Sequence, residues 1–253
     1  EVSYRYVMTH SPDLRGIDVA LLYQRDLFKL LSSRSISIPP LKQYRPTRDL
    51  LHVNGLLLTG DTLDVFVCHL PSRSGGAKES EPYRLYAAHI LRMEVDSIMN
   101  IRSFPQVIIM GDFNDYPTNQ SIQKILEAEA PPVTTNNLAS TTGSTNFSTV
   151  APSSLKLYHL LARKAKSKDF GSYKYRGEWG LLDHLIVSGT LLNQSNHFFT
   201  SEEKANVCLL PFLLKDDEKY GDKEPFRTYK GMKYQGGVSD HLPIYTDFEL
   251  ILH

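Results

Sequence analysis

Val107-Ile108-Ile109-Met110-Gly111-Asp112-Phe113-Asn114-Asp115 runs from a short apolar strand into a glycine and then into polar side chains. Four consecutive apolar residues, β-branched for the most part and closed by Gly, have the length of a buried strand rather than a helix. Asp112 and Asn114 are two apart, which at a strand end sends both side chains to one side. A carboxylate and a carboxamide then meet outside the sheet edge, where a hard cation such as Mg²⁺ would find oxygen ligands. Gly-Asp and Asn-Asp are also ordinary turn chemistry, and the stretch alone leaves both readings open.

Other strand ends in the chain carry the same kinds of group. Val65-Phe66-Val67-Cys68-His69 reaches His69 as the strand before it reaches Asp112. Leu181-Leu182-Asp183-His184-Leu185 places Asp183 inside an apolar strand, where an unpaired carboxylate is costly. Asp183 therefore needs a donor, and His241 in Gly237-Val238-Ser239-Asp240-His241-Leu242-Pro243 is the expected one. In that last segment Asp240 can hold a metal while His241 donates a hydrogen bond to a phosphoryl oxygen.

Strands are expected at residues 4–8, 19–23, 52–58, 63–69, 107–110, 182–188 and 244–252. Thr59-Gly60-Asp61-Thr62 predicts a hairpin, and Val65/Val67 against Phe66/Cys68 predict an inner strand covered on both faces. Helices are expected over about 83–101, 119–127 and 155–165, with surface loops at 131–154 and 197–237. Strands with interspersed helices imply a layered α/β domain over residues 1–253.

Lys+Arg and Asp+Glu number 28 each, a balance that argues against nucleic-acid binding driven by bulk charge. Cys68 and Cys208 make no disulfide framework. No apolar run reaches membrane-spanning length. The chain opens at Glu1 without Met and enters a strand almost at once, as a cut or processed start would. A secreted or periplasmic location is expected if a signal peptide has been removed.

In order and spacing, His69, Asp112 with Asn114, Asp183, and Asp240-His241 resemble successive motifs of the endonuclease/exonuclease/phosphatase superfamily. The segments 11–23 and 225–237 resemble a bacterial subgroup of it. The resemblance implies a deoxyribonuclease-I-like α/β fold, a four-layer sandwich of two mixed β-sheets flanked by helices, without its first strand–helix–strand unit. It implies a monomeric, divalent-metal-dependent hydrolase of phosphate esters, with Mg²⁺ or Mn²⁺ as cofactor. His69, Asp112, Asn114, Asp183 and His241 would be catalytic, with Asp240, Asp112 and Asn114 at the metal. Arg73 and Tyr229 would contact substrate, and Asp49 either orients His69 or is a strand-entry residue. A phosphodiester, nucleic acid included, is the expected substrate; a sugar or lipid phosphomonoester, or binding without catalysis, are the alternatives. The basic stretch Arg163, Lys164, Lys166, Lys168, Lys174 and Arg176, interleaved with Tyr173 and Tyr175, reads either as a nucleic-acid contact or as a solvated face.

Overall fold

The structure, a computed structural model, describes residues 3–42, 44–133 and 152–252. In chain order, the first half contains β1 (Tyr4–Met8), β2 (Ala20–Gln24), β3 (Phe28–Ile36), β4 (Leu50–Leu57), β5 (Thr62–His69), α1 (Ala77–Ile101) and β6 (Val107–Asp112). Then come β7 (Leu157–His159), β8 (Tyr173–Tyr175), β9 (Glu178–Gly180), β10 (Asp183–Ser188), β11 (Phe198–Phe199) and β12 (Ala205–Val207). The last are β13 (Leu214–Asp216), β14 (Lys223–Pro225), β15 (Tyr229–Lys230), β16 (Lys233–Tyr234), β17 (Ile244–Thr246) and β18 (Glu249–Leu250).

Among the described residues, the centre is a six-stranded mixed sheet in the order β3-β4-β5-β6-β10-β7. Among the described strands of this sheet the β5–β6 pairing alone is parallel, and α1 is the crossover between those two strands. The period-two pattern divides the apolar side chains into two cores. Leu50, Phe66, Cys68, Val107, Ile109 and Ile186 join Ala87, Leu91 and Val95 of α1 on one face. Leu51, Val53, Val65, Ile108, Leu185 and Val187 pack on the other. There they meet Val7, Leu21, Phe198, Ala205, Val207 and Ile244, which belong to the antiparallel pairs β1–β2, β11–β18 and β12–β17. The second sheet expected from sequence is thus present as separate two-stranded pairs.

Several elements differ from the sequence reading. α1 begins six residues before Tyr83 and runs through Pro82. Pro82 is exposed near the N-terminal end, where losing one backbone hydrogen bond is outweighed by burial of Tyr83, Ala87, Leu91 and Val95 along one face. Of the helix expected at 119–127, a π-helical turn forms over Ser121–Ile125. The helix expected at 155–165 is instead the strand β7 followed by turns. Leu157 enters the core beneath α1 and Tyr158 the opposite core, so a strand buries both where a helix would not. β3, unexpected from sequence, is an edge strand with mostly solvent-facing residues, which gave it no apolar alternation. The expected final strand is interrupted between β17 and β18, and the 197–237 segment contains short hairpins. Most of the 131–154 loop, with Glu1, lies outside the described residues.

Gly111 is where the chain must bend at the end of β6. Its φ is +134°, and an added Cβ would sit 1.9 Å from the Cys68 carbonyl oxygen on β5. Gly111→Ala should therefore lower unfolding free energy by at least about 2 kcal/mol, from backbone strain together with displacement of β5. Urea denaturation measures this, and a loss under about 0.5 kcal/mol would show that the two strands separate freely.

Candidate active site

The register of the central sheet brings the chemistry-bearing strand ends together. His69 of β5 pairs with Asp112 of β6, and Asp112 pairs in turn with Asp183 of β10. These three residues stand side by side on adjacent strands, at one rim of the sheet. His241 comes from the segment before β17 and is placed by an antiparallel bridge to Tyr173 of β8. Its Nδ1 lies 2.7 Å from Asp183 Oδ2, the pairing expected from sequence. The Ser172 hydroxyl donates to the same carboxylate oxygen.

Asp112 is fixed from its other side. The backbone N–H of Asn114 donates to Asp112 Oδ1 at 2.8 Å, and Asn114 Nδ2 donates to the Leu70 carbonyl at 3.1 Å. This requires a positive φ, +52°, at Asn114, a conformation that Asn tolerates better than most residues. His69 Nε2 stands 3.5 Å from Asp112 Oδ2.

Burial and neighbouring charges separate these groups electrostatically. Burial, reinforced by the negative charge of Asp183, raises the Asp112 carboxyl to about 6. At His241, burial disfavours the cation, but the hydrogen bond and charge of Asp183, with Asp112 and Asp240, outweigh it and raise the imidazole to about 9. Burial and the positive charges of Arg48 and Arg15 push His69 down to about 4. At neutral pH the site therefore holds a cationic His241, a neutral His69 and a carboxylate at Asp112.

His69, Arg73, Asp112, Asn114, Asp183, Asp240 and His241 all line one open cleft of about 830 Å³. Arg73 lies over the Tyr116 ring, its guanidinium carbon 4.8 Å from the centroid. Tyr229 lies elsewhere: it is exposed in the β15–β16 hairpin against Tyr234, and it is not among the cleft's lining residues. Asp49 does not orient His69 either. Its carboxylate accepts hydrogen bonds from Ser37 and the Ile38 N–H, while the adjacent Arg48 donates to the carbonyls of His69 and Leu70 and pairs with Asp13. Successive residues of an extended segment point to opposite sides, so which way Asp49 faces depends on the packing of the sheet.

The basic stretch also divides. Tyr173 and Tyr175 line the cleft, but Lys174 between them is buried. Its ammonium donates to the carbonyls of Gly221 and Lys223 and pairs with Asp217. Arg163 pairs with Glu202, and Lys164 bonds the Ala205 carbonyl. Arg15, Tyr116 and Ser172 were missed by sequence reasoning; a lone Arg, Tyr or Ser without a repeated spacing carries no local signal.

The acidic donors suit a divalent cation. Asp112, Asp183 and His241 each offer a ligand-type atom within 4.8 Å of the others, and exposed Asp240 opens on the same cleft. Asp183 and His241 are paired with each other, and the side-chain oxygens of Asp112, Asn114 and Asp240 open on the cleft beside them. Two close carboxylates, one with a raised pKa, are what a bound cation would relieve.

The family model described as Endonuclease/Exonuclease/phosphatase family matches residues 1–250. A comparison with curated proteins gives no match. Among solved structures, the human nocturnin catalytic domain with bound sulfate is 19% identical, with 98% of this chain and 72% of that one covered and a TM-score of 0.57. A mannosyl-6-phosphatase from Bacteroides thetaiotaomicron is 16% identical over 97% of this chain and 76% of that one, TM-score 0.57. D. rerio TDP2 complexed with single strand DNA product is 15% identical over 96% and 77%, TM-score 0.52. These likenesses are of fold.

Asp183→Asn should bring the His241 imidazole well below 9, because the pair's charge is what opposes burial. NMR titration of the imidazole C–H reads this directly. The linked stability has a definite sign. A raised pKa stabilises the fold fully below the ordinary 6.5 and loses that contribution as pH rises through about 9. The stability advantage of wild type over Asp183→Asn should shrink across that window; an advantage that grew would contradict the pair.

Proposed function

Because this chain belongs to the endonuclease/exonuclease/phosphatase family, we propose that it hydrolyses phosphodiesters of single-stranded nucleic acid, with Mg²⁺ or Mn²⁺, in the cleft holding Asp112 and His241. The observation that carries the reading is the register of His69, Asp112 and Asp183 on adjacent strand ends, with His241 charged against Asp183.

The roles follow from the electrostatics. His241 spends Nδ1 on Asp183 and keeps its Nε2–H for a non-bridging phosphoryl oxygen, where a fixed cationic donor stabilises charge that grows in the transition state. Asp112, a carboxylate beside the phosphoryl position, orients the attacking water and takes its proton. Asn114 holds Asp112 in position, and neutral His69 contacts a further phosphoryl oxygen. Asp112, Asn114 and Asp240 would hold the cation, whose Lewis acidity polarises the phosphoryl group.

The rim supports nucleic acid over a small sugar phosphate. Tyr116, Tyr173 and Tyr175 border the cleft, and each has an arginine over its ring: Arg73, Arg227 and Arg176 respectively. Aromatic faces stack with bases while arginines meet phosphates, the combination that binds single strands without sequence preference. The balanced charge confines this attraction to the cleft. The D. rerio TDP2 structure, of related fold, contains a single strand DNA product.

A single-stranded oligonucleotide, bis(p-nitrophenyl) phosphate and mannose 6-phosphate, each offered with Mg²⁺, test the proposal. The two diesters should be cleaved, and chelation should abolish turnover. Asp112→Asn and Asp183→Ala should reduce kcat by about two to four orders of magnitude while the fold persists. Activity should fall as pH rises past about 9, where His241 loses its proton. Turnover of mannose 6-phosphate alone would sink the nucleic-acid reading. Undiminished turnover in folded Asp183→Ala would sink the mechanism.

A further inference from the structure

The segment from Phe226 to Ser239 contains Arg227, Lys230 and Lys233 and no acidic residue, in a chain whose basic and acidic residues balance at 28 each. At its centre is the β15–β16 hairpin, with all four strand residues exposed. The register sets Tyr229 opposite Tyr234 and Lys230 opposite Lys233. Directly opposed residues share a face and neighbouring residues do not, so one face of the ribbon carries two tyrosines and the other two lysines. Like charges directly opposite one another destabilise a hairpin. Neither ammonium has an ion-pair partner among the described residues, and an anion from outside the chain would offset the repulsion.

The rings are as little used as the charges. Tyr229 and Tyr234 meet edge to face, their centroids 5.5 Å apart, yet remain 58% and 64% exposed, and Met232 at the tip is 99% exposed. Side chains left so far in water add little burial energy to the fold. Aromatic faces beside lysines, with no carboxylate among them, bind a single strand by stacking its bases and meeting its phosphates.

The hairpin also rises from the segment that enters the catalytic cleft. The Val238 N–H donates to the Phe226 carbonyl and the Gln235 N–H to the Thr228 carbonyl, each at 2.7 Å, which closes the stem. The Phe226 N–H donates to the Leu213 carbonyl and anchors that stem to the rest of the fold. Ser239, Asp240 and His241 follow directly and line the cleft. Arg227, two residues before Tyr229, lies over the ring of Tyr173 in the cleft wall. Aromatic and basic side chains therefore continue from Tyr173 through Arg227 to the hairpin.

We propose that the β15–β16 hairpin is a distal docking surface for single-stranded nucleic acid, which holds the part of a strand that leaves the cleft past Tyr173. The surface rests on the proposed nucleic-acid reading for the path of the strand, and on its own side chains for the ligand.

Fluorescence anisotropy of a labelled oligothymidylate, with EDTA present so that no strand is cut, tests the surface. Lys230→Ala/Lys233→Ala should lower the slope of log K against log salt by about 1.4, the share of two phosphate contacts on a single strand. Because it removes opposed like charges, its melting temperature should match or exceed wild type. Tyr229→Ala/Tyr234→Ala should weaken binding by at least about tenfold and keep the wild-type salt slope, since stacking releases no counterions. An unchanged salt slope in the lysine variant, or unchanged affinity in the tyrosine variant, would overturn the surface. So would a lysine variant that melts several degrees lower, since the lysines would then be serving the fold. Phosphatidylglycerol vesicles supply a competing anionic surface. Vesicle binding lost in both variants, with oligonucleotide binding intact, would assign the hairpin to a membrane and overturn the proposal. Hairpin-dependent oligonucleotide binding without cleavage of any phosphate ester would leave the surface standing and the proposed reaction failed. Oligonucleotide cleavage with the same KM in wild type and both variants would do the reverse.

Discussion

Asp112 and Asp183 face each other across the antiparallel pairing of β6 and β10, and that pairing cannot shift without exposing Ile109 and Ile186 or their neighbours on the opposite face. A core on each side of the sheet thus locks two carboxylates together at its rim. Burial, reinforced by the Asp183 charge, makes Asp112 hard to ionise, while the hydrogen bond and charge of Asp183 hold the proton on His241 against its own burial. The packing free energy of both cores maintains this electrostatic tension, and the tension gives each group a distinct protonation state.

The surrounding structure holds that arrangement from both ends. Arg48, buried beneath the cleft, ties the chain's early segment at Asp13 to the carbonyls after β5. Asn114 shares the Leu70 carbonyl with Arg48, so the β5 and β6 ends move as one unit. On the far side, buried Lys174 anchors β8 to the 217–223 turn and turns Tyr173 and Tyr175 toward the cleft. Under the proposed function, a stretch that looks from sequence like a basic binding surface is a structural lysine between two substrate-facing rings.

A second buried pair lies close by and does no such work. His159 and His184 contact each other through ring nitrogens, and His184 bonds the Asp115 carbonyl. Burial pushes both imidazoles down, His184 to about 4, so the pair stays neutral and acts as packing. Asp183 and His184 are adjacent in sequence and opposite in role, because consecutive strand residues point to opposite faces.

The sequence by itself determined the family, the strands β5, β6 and β10, and the groups His69, Asp112, Asn114, Asp183, Asp240 and His241. Those residues sit at strand ends or beside glycines, where short-range pattern and turn chemistry are informative. It also anticipated the Asp183–His241 contact, from the cost of a lone carboxylate in an apolar strand. Only the tertiary structure decided that residues 157–159 are a strand, since the two cores that bury Leu157 and Tyr158 are assembled from distant segments. It likewise turned Asp49 toward Ser37 and Ile38, removed Tyr229 from the cleft and turned Lys174 inward. Each of those outcomes depends on which face of an element meets which neighbour, and facing is fixed by long-range packing that no local spacing encodes.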